Sequence, residues 1–221
     1  MNDSDKAKWE KGKKSTLRFY EAKLPWKNQR FNRELYLPDY FAQMIGDKKE
    51  VAIADLGAAM FCTIGSLWKT SNVKVYPSDV LADEFNQILK EHNIKPLIPV
   101  MKEDMENLSY PDNFFDIVHC LNALDHTINP IKALREMYRA CKPNGYIYLR
   151  HFVNVGESEK YYGLHLWNID TARDKDCIIW NQSKKFLLSE ILPGFHSVKK
   201  RELSYETEDM VVSILQKKWK T

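Results

Sequence analysis

The stretch 51–68, VAIADLGAAMFCTIGSLW, constrains the fold of this chain more than any other. It begins with the apolar run Val51-Ala52-Ile53-Ala54, which is typical of a buried parallel strand. Asp55 and Gly57 follow, and we predict that a helix then runs to about Trp68. A strand, a glycine turn and a helix open many nucleotide-binding α/β sheets, because glycine lets the backbone approach a ligand and the helix start offers free N–H groups. An ordinary βα turn fits a single glycine equally well.

Composition and length fit one soluble α/β domain. The 221 residues are 44% hydrophobic and 29% charged, and the net charge of +3 permits a nucleic-acid partner without favouring one. No apolar run approaches the roughly 20 residues that span a bilayer, and the polar N-terminus does not resemble a secretory signal. The four cysteines are far apart and predict buried thiols in a reducing compartment. We therefore expect a cytoplasmic protein without a membrane partner.

Segments with strand and helix patterns alternate along the chain. Alternation of this kind predicts a doubly wound, mostly parallel sheet with helices on both faces. The predicted strands are 51–55, 73–76, 97–100, 115–120 and 146–152, and the predicted helices after the first are 82–92 and 125–141, the latter broken at Asn129-Pro130.

The two ends of the chain complete this expectation. Residues 1–45 are predicted to form an N-terminal helical segment. Its first 14 residues are predicted to be mobile, and two or three short helices are predicted between Thr16 and Ile45. Residues 153–180 are expected to form a lid or substrate insertion, in which 153–169 are aromatic and less regular and Cys177–Trp180 is a short strand. Segments 196–203 and 210–216 predict an antiparallel hairpin at the edge of the sheet. We expect a single domain over residues 1–221.

An ordered set of motifs follows the first strand. Asp55 precedes the glycine turn and Asp79 ends the second strand; the later motifs are Asp104-Met105-Glu106-Asn107-Leu108, Phe115-Asp116-Ile117-Val118, Leu134-Arg135-Glu136-Met137-Tyr138-Arg139 and Lys142-Pro143-Asn144-Gly145. The series resembles the class I S-adenosylmethionine-dependent methyltransferases, in their small-molecule, type 11-like branch. The resemblance covers residues 53–152. No single motif is specific, but the order and spacing together are.

The resemblance implies S-adenosyl-L-methionine as cofactor. The acid at the end of strand two would accept hydrogen bonds from the ribose hydroxyls, although Asp79 could instead cap the helix that follows. Asp104 would meet the adenine amino group beside Met105, unless it forms only an Asx turn. The remaining candidate contacts are the glycine turn, the acid before it, and the residues after strands two and four: Asp55, Gly57, Ala58, Val80, Leu121 and Asn122.

The glycine turn departs from the family pattern. The family usually has G-x-G-x-G after the acid, whereas this chain has Gly57-Ala58-Ala59-Met60-Phe61. If the position of Ala59 requires a positive φ, its side chain makes that conformation costly. This places the affinity for the cofactor in question more than the fold.

Three histidines are the candidate catalytic groups. Transfer of a methyl group to a hydroxyl or an amine also requires loss of a proton, and histidine is a suitable base. His126 follows strand four, His151 ends strand five, and His165 lies in the insertion; each could equally be a structural histidine. Together with Asp125 they could form a metal site if they converge, but their spacing is not a known ligand motif, and no metal is expected.

We therefore predict methyl transfer to an oxygen or nitrogen of a small-molecule or glycan-type acceptor. Nucleic acid is an unlikely substrate, because the chain lacks both the Pro-Pro motif of adenine methyltransferases and a Pro-Cys nucleophile. A nicotinamide dehydrogenase would need G-x-G-x-x-G at the first turn. The alternative is a degenerate, non-catalytic methyltransferase fold that binds the cofactor or a partner. The sequence predicts neither the acceptor nor the oligomeric state.

Overall fold

A seven-stranded sheet forms the centre of the protein in the computed structural model, which describes residues 3–24, 34–62, 64–172, 176–192, 196–203 and 209–218. Its strand order is β3-β2-β1-β4-β5-β10-β9. The first five strands in that order are parallel, and β10 is antiparallel to both of its neighbours, β5 and β9. The α/β prediction with a C-terminal edge hairpin is therefore confirmed. The strands are β1 Glu50–Leu56, β2 Asn72–Asp79, β3 Met101–Lys102, β4 Phe115–Leu121, β5 Cys141–Phe152, β9 His196–Leu203 and β10 Asp209–Gln216.

Helices cover both faces of this sheet because each has an apolar side to bury. In α4 the residues Leu134 and Met137 are completely buried against the central strands. Phe41, on the opposite face, packs with Ile53 and Tyr148. The helices are α1 Asp3–Ala22, α2 Ala42–Ile45, α3 Ala82–Glu91, α4 Pro130–Ala140, α5 Val155–Ser158 and α6 Leu188–Ile191, with one-turn 3-10 helices at Asp39–Phe41 and Leu124–His126.

The predicted helix after β1 is wrong for the residues that the structure describes there, 57–62 and 64–68. Gly57, Ala59 and Gly65 all have positive φ, which breaks helical geometry repeatedly. The backbone of Leu67 instead forms a bridge with Tyr36. The apolar residues of this stretch pack into the core from an irregular loop. Their helix-like spacing in the sequence therefore does not reflect a helix.

The N-terminal segment also differs from the prediction. Residues 3–14 are not a mobile tail but part of the 20-residue helix α1. Gly12 of α1 lies against Gly163, where a Cβ atom would come within 2.7 Å of the Gly163 carbonyl group. Further along the helix, Tyr20 makes an edge contact with Phe85 of α3. These contacts hold α1 across the carboxyl end of the sheet.

Three further predictions need correction. The third strand lies at Met101–Lys102 and not at 97–100. The turn predicted at 142–145 is part of β5, where these four residues lie opposite the single β4 residue Asp116 in a bulge. Residues 153–180 contain α5, β6 Asn168–Thr171 and β7 Cys177–Trp180; β6 and β7 pair with β8 Lys185–Leu187 in a second, antiparallel sheet that the sequence analysis missed.

Candidate functional site

The functional residues gather where the parallel strands end. From β1 the chain adds β2 and β3 on one side of the sheet and then β4 and β5 on the other side. The strand order therefore reverses direction between β1 and β4. Ligands of open α/β sheets bind in the crevice at such a switch point. Two adjoining cavities occupy this crevice, and α1 lies across both of them.

The first chamber has a volume of about 150 Å³. It lies between the ends of β1 and β2, the turn after β3 and the helix α1. Its lining includes the glycine turn at Gly57 and Ala59, the acids Asp79, Glu103, Asp104 and Glu106, and the α1 residues Trp9, Thr16 and Tyr20. The volume is below the roughly 300–1,000 Å³ typical of small-ligand sites. A ligand the size of a nucleoside therefore needs more room than this chamber has in the structure.

The glycine turn is held against the end of β2. The N–H groups of Gly57 and Ala58 both donate to the Ser78 carbonyl, at 2.8 and 3.0 Å. Gly57 has a φ of 76°, and a Cβ atom there would come within 2.2 Å of the Ala123 Cβ. Only glycine fits this position. Ala59 also takes a positive φ, of 55°. It stands at the third position of the family's glycine motif, and because alanine has a Cβ, this backbone conformation is strained there.

Asp79 connects the two loops that frame the first chamber. One of its carboxylate oxygens accepts the Ala59 N–H at 2.9 Å, and the other accepts the Leu81 N–H at 2.8 Å. Burial raises the pKa of this carboxyl group. A carboxylate has about four lone-pair sites, so two acceptor positions remain for a ligand. The interaction with Leu81 also shows that the capping interpretation holds in part, since Asp79 contacts the residue before α3.

The acidic turn after β3 forms the opposite wall. The Asp104 carboxylate accepts the Glu106 N–H at 2.8 Å, which is an Asx turn, and Asp104 and Met105 both line the chamber. Glu106 accepts the N–H groups of Ile128 and Asn129 at 2.7 and 2.9 Å. Glu106 thereby fixes the start of α4 beside the chamber. Both interpretations of Asp104 are compatible with this geometry.

The second chamber is larger, at about 810 Å³. It lies between α1, the end of β5 and the segment after α5. Aromatic and apolar side chains dominate its wall, with acids and histidines at intervals: Phe19, Tyr20, Phe152, Val153, Val155, Tyr162, Leu164, Asp125, His126, Glu159, His165 and Asp209. This volume is within the range of small-molecule sites.

Five residues border both chambers: Thr16, Tyr20, Asn122, His126 and Leu164. Asn122, at the end of β4, accepts the Phe152 N–H through its side chain at 2.9 Å and has a φ of 48°. Burial, with the negative charges of Asp79 and Asp125, raises the pKa of Tyr20 to about 12. The two cavities therefore form one site with a shared wall.

Asp125, His126 and His165 form a compact cluster at this wall, which we name the DHH cluster. His165 Nδ1 lies 2.9 Å from an Asp125 carboxylate oxygen, and His126 Nε2 lies 3.4 Å from the same oxygen. The two ring nitrogens are 3.2 Å apart. Asp125 is 3% exposed at its side chain, whereas the two histidines are 29% and 32% exposed. The carboxylate is thus buried behind two imidazoles that face the chambers.

Backbone and side-chain hydrogen bonds hold the cluster together. The Leu166 N–H donates to the Asp125 carbonyl at 3.0 Å. The indole N–H of Trp167 donates to the Thr127 carbonyl at 2.8 Å, and Trp167 itself is buried. These bonds join the segment after α5 to the 3-10 helix after β4, and they bring residues 40 positions apart into contact.

The environment sets the charge of each group in the cluster. Burial lowers the pKa of His126. Burial also acts to lower the pKa of His165, but its hydrogen bond to Asp125 and the Asp125 charge raise it overall. Burial acts to raise the pKa of Asp125, but the histidines lower it overall, so this carboxyl group is ionised.

Several predicted site residues lie outside both chambers. Asp55 is buried and pairs with His119 Nδ1 at 2.9 Å. Ala58 is buried, and neither it nor Leu121 lines a chamber. His151 is 2% exposed and lines neither chamber; among the described residues its ring nitrogens have no hydrogen-bond partner, and burial lowers its pKa to about 4. The structure brings Gly57, Asp79, Val80, Asp104, Met105 and Asn122 together at the first chamber.

The charge of the site opposes that of the whole chain. The sequence carries a net charge of +3, yet no lysine or arginine among the described residues lines either chamber. Carboxylates line both, including Asp79 and Glu106 in the first and Glu159 and Asp209 in the second. Such a site favours a cationic ligand and disfavours phosphate groups.

The family resemblance led us to expect that the N-terminal helices close the cofactor site, with Trp26 and Arg30 as candidates, but both residues lie outside the described part of the chain. In the structure the α1 residues Trp9, Thr16 and Tyr20 line the first chamber, and sequence reasoning named neither them nor Glu106 as site residues. Glu106 stands at the third position of the Asp104-Met105-Glu106 motif, so the motif itself could have identified it. The cluster partner His165 was named as a candidate, but its contact with Asp125 depends on the fold.

Comparison with known proteins gives the same assignment. Residues 56–149 match the family model of a methyltransferase domain. Over these residues, which are less than half of its length, the chain is similar to S-adenosylmethionine-dependent methyltransferases. The matched residues begin at the glycine turn and end in β5, and so include the Asp79 and Asp104 walls of the first chamber and the DHH-cluster residues Asp125 and His126. His165 and α1 lie outside the match.

Individual relatives and solved structures are similar to the chain at low sequence identity. A ubiquinone/menaquinone biosynthesis C-methyltransferase, UbiE of Coxiella burnetii, is 29% identical over 109 residues, which are 49% of this chain and 35% of the relative. The chain thus spans about a third of the length of the curated relatives it matches. A methyltransferase solved in complex with the Trm112 methyltransferase activator of Haloferax volcanii has a TM-score of 0.58 at 14% identity, covering 93% of this chain and 97% of that one.

The cyclase SpnF also shares the fold, with a TM-score of 0.51 at 13% identity, covering 93% of this chain and 96% of that chain. Likeness at such identities shows the fold alone. Because a protein named as a cyclase has this fold, the reaction of the present chain has to be argued from its own site. No helix among the described residues is both long and apolar enough to cross a membrane.

Proposed function

We propose that this protein transfers a methyl group from S-adenosyl-L-methionine to an oxygen or nitrogen of a small, largely apolar acceptor. The observation that carries this proposal is the pair of adjoining chambers whose walls carry carboxylates and no lysine or arginine among the described residues. The cofactor carries a sulfonium and an ammonium group and no phosphate. The charge of the site matches it, whereas a dinucleotide would bring phosphates into a negative crevice.

The residues of the first chamber fit the cofactor. Gly57 lets the glycine turn pack directly against Ala123, where any Cβ would collide, and a glycine backbone can also lie close to a ligand. Asp79 has acceptor positions free for ribose hydroxyls, and Asp104 with Met105 offers a polar and a soft apolar contact for a base. When bound, the cofactor supplies an electrophilic methyl group on a sulfonium.

The residues of the second chamber would hold and orient the acceptor. Phe19, Phe152 and Tyr162 provide an apolar wall that can pack against a ring or an alkyl chain. Positioning two reactants in line can supply effective molarities of up to about 10⁵–10⁸ M in favourable cases.

The DHH cluster lies where the acceptor must lose its proton. His126 borders both chambers and His165 borders the second. An oxygen or nitrogen nucleophile becomes more reactive as its proton is removed, and imidazoles assist this step in many enzymes. Glu159 and Asp209 on the same wall favour an acceptor without negative charge. We therefore assign the acceptor to the class of neutral or cationic alcohols, phenols and amines.

A second candidate reaction is methylation of a carbon atom. Relatives that match about half of this chain are named as C-methyltransferases of ubiquinone/menaquinone biosynthesis. A phenol ring activated by loss of its proton can react at carbon. The chamber volume and its aromatic wall accept a phenol for either outcome. The position of methylation on the product separates the two candidates.

The test is a transfer assay with cofactor labelled in its methyl group and a panel of phenols, alcohols, amines and simple glycosides. The proposal expects labelled product from at least one neutral or cationic acceptor, with the methyl on oxygen or nitrogen by NMR. Label on carbon would establish the second candidate. Cofactor binding without turnover on any acceptor would instead support the degenerate, non-catalytic module.

A further inference from the structure

The DHH cluster has the geometry of three ligands around one metal ion. Its three ligand atoms are an Asp125 carboxylate oxygen, His126 Nε2 and His165 Nδ1. They lie 2.9, 3.2 and 3.4 Å from one another. Ligands bound to zinc at about 2.0–2.1 Å and at tetrahedral angles lie roughly 3.3 Å apart. The three atoms therefore already stand close to the separations that a shared ion imposes.

The chemistry of the set also fits a cation. Two imidazoles with one carboxylate are a common ligand set for zinc and for other divalent transition metals, which keep further positions open for water or substrate. Here both imidazoles face the chambers, while the carboxylate is buried behind them. The open positions of a bound ion would therefore point to the second chamber.

The cluster is less well satisfied without an ion. All three atoms can accept a hydrogen bond, and each neutral imidazole has only one N–H to offer. If both N–H groups point to the carboxylate, two like dipoles meet where the ring nitrogens are 3.2 Å apart. No lysine or arginine among the described lining residues compensates the buried Asp125 charge. One divalent ion would satisfy all three atoms together.

The cluster is also held in place before any ion arrives. The bond from the Leu166 N–H to the Asp125 carbonyl lies next in sequence to His165, and the bond from Trp167 to Thr127 lies one residue beyond. Together they hold His165 beside Asp125. A site whose ligands are already in position loses less conformational entropy on binding.

We propose that Asp125, His126 and His165 bind one divalent transition-metal ion, with zinc the ion that best matches the ligand set. The inference goes beyond the proposed function and does not depend on it, because metal binding is measured without a methyl acceptor. If the proposed function also holds, the ion lies on the wall of the acceptor chamber, where it can bind an acceptor hydroxyl and lower its pKa, and the released proton passes to water.

The test uses the full chain, free of any histidine tag and stripped of metal with a chelator. Cobalt(II) is titrated first, since its visible absorption reports coordination, and zinc(II) is then added as a competitor. The expected result is one cobalt ion per chain with the spectrum of nitrogen and oxygen ligands, displaced by one equivalent of zinc. An intense charge-transfer band from cobalt–thiolate bonds would place the ion at a cysteine and would overturn the proposal.

Variants and a measurement on the wild type locate the ion. His165→Ala is expected to weaken zinc binding at least 10-fold, whereas His92→Ala, a surface histidine paired with Glu21, is the matched control and is expected to leave it unchanged. Because a variant can fail to fold, the side-chain nitrogen resonances of the wild type are followed as zinc is added. Shifts of His126 and His165 without a shift of His92 support the site. Wild-type binding equal to that of His165→Ala, or no shift at these two histidines, overturns it.

Discussion

The two chambers are built from different kinds of structure. The backbone shapes the first: Gly57 packs against Ala123 more closely than any residue with a Cβ could, and the Asp79 carboxylate joins the glycine turn to the start of α3. Side chains from distant segments shape the second, where His126 after β4 meets His165 after α5 and both face α1.

The difference between the chambers implies that substitutions in them have separate effects. A change in the first should reduce cofactor binding, and a change in the second should reduce turnover while the cofactor still binds. The four predictions below test this separation, from the largest expected effect to the smallest.

Gly57→Ala should have the largest effect. The added Cβ would lie 2.2 Å from the Ala123 Cβ, at a φ of 76°, so we expect the free energy of unfolding to fall by roughly 3 kcal/mol or more and cofactor binding to be lost. Calorimetric unfolding and titration with S-adenosylhomocysteine measure both.

Gly46→Ala is the control for that variant. It also has a positive φ, of 56°, but a Cβ there meets nothing within 4 Å. Its backbone has a ψ of −133°, outside the left-handed helical region, so we expect a strain of about 1–3 kcal/mol and normal cofactor affinity. Equal losses for the two glycines would show that the close approach at Gly57 does not matter.

His165→Gln should lower kcat about 100-fold and leave the Kd for S-adenosylhomocysteine within threefold. His165 lines the second chamber and not the first, and loss of assistance in proton removal typically costs 10²–10⁴-fold. Initial rates with an acceptor found in the screen provide the measurement, with His92→Gln as the control. An unchanged kcat would remove the DHH cluster from the reaction.

Asp79→Asn should weaken binding of S-adenosylhomocysteine about 10–100-fold, because hydrogen bonds to a charged acceptor contribute roughly 1.5–3 kcal/mol. Asp83→Asn is the matched control, since Asp83 is exposed on α3 and pairs only with Lys102 among the described residues. Calorimetric titration of both variants measures the effect. A normal affinity in Asp79→Asn would mean that this acid has a structural role alone.

Ala59→Gly should have the smallest effect. Glycine relieves a left-handed strain of about 1–2 kcal/mol but loses the buried methyl group and adds entropy to the unfolded chain, so we expect a net gain in unfolding free energy of roughly 0.5–1 kcal/mol. Chemical denaturation measures it. A loss of stability would show that Ala59 packs better than its backbone suggests.

Much of the first chamber could be predicted from the sequence because its parts follow strands. The strand pattern places Gly57, Asp79 and Asn122 at the same edge of a parallel sheet. Their positions in the sequence, each at a strand end, are therefore enough to predict that they lie close together. The same reasoning failed between Gly57 and Trp68, since apolar spacing does not reveal three positive φ values. The structural place of Asp55 was also missed, because its pairing with His119 depends on the neighbouring strand.

The second chamber could not be predicted to the same extent. His126 and His165 were named for their chemistry, but their contact depends on the fastening of Leu166 and Trp167 to the segment after β4. The path of α1 depends on the Gly12–Gly163 contact, between residues with no shared motif. Tertiary contacts of this kind leave no local periodicity in the sequence.

The central claim is that the acid-lined first chamber binds the methyltransferase cofactor. Calorimetric titration of the wild-type chain with S-adenosylhomocysteine, beside a titration with NAD⁺, tests it most directly. The account predicts one S-adenosylhomocysteine per chain at micromolar Kd and no heat from NAD⁺. Absence of S-adenosylhomocysteine binding, or binding of NAD⁺ in its place, would contradict it.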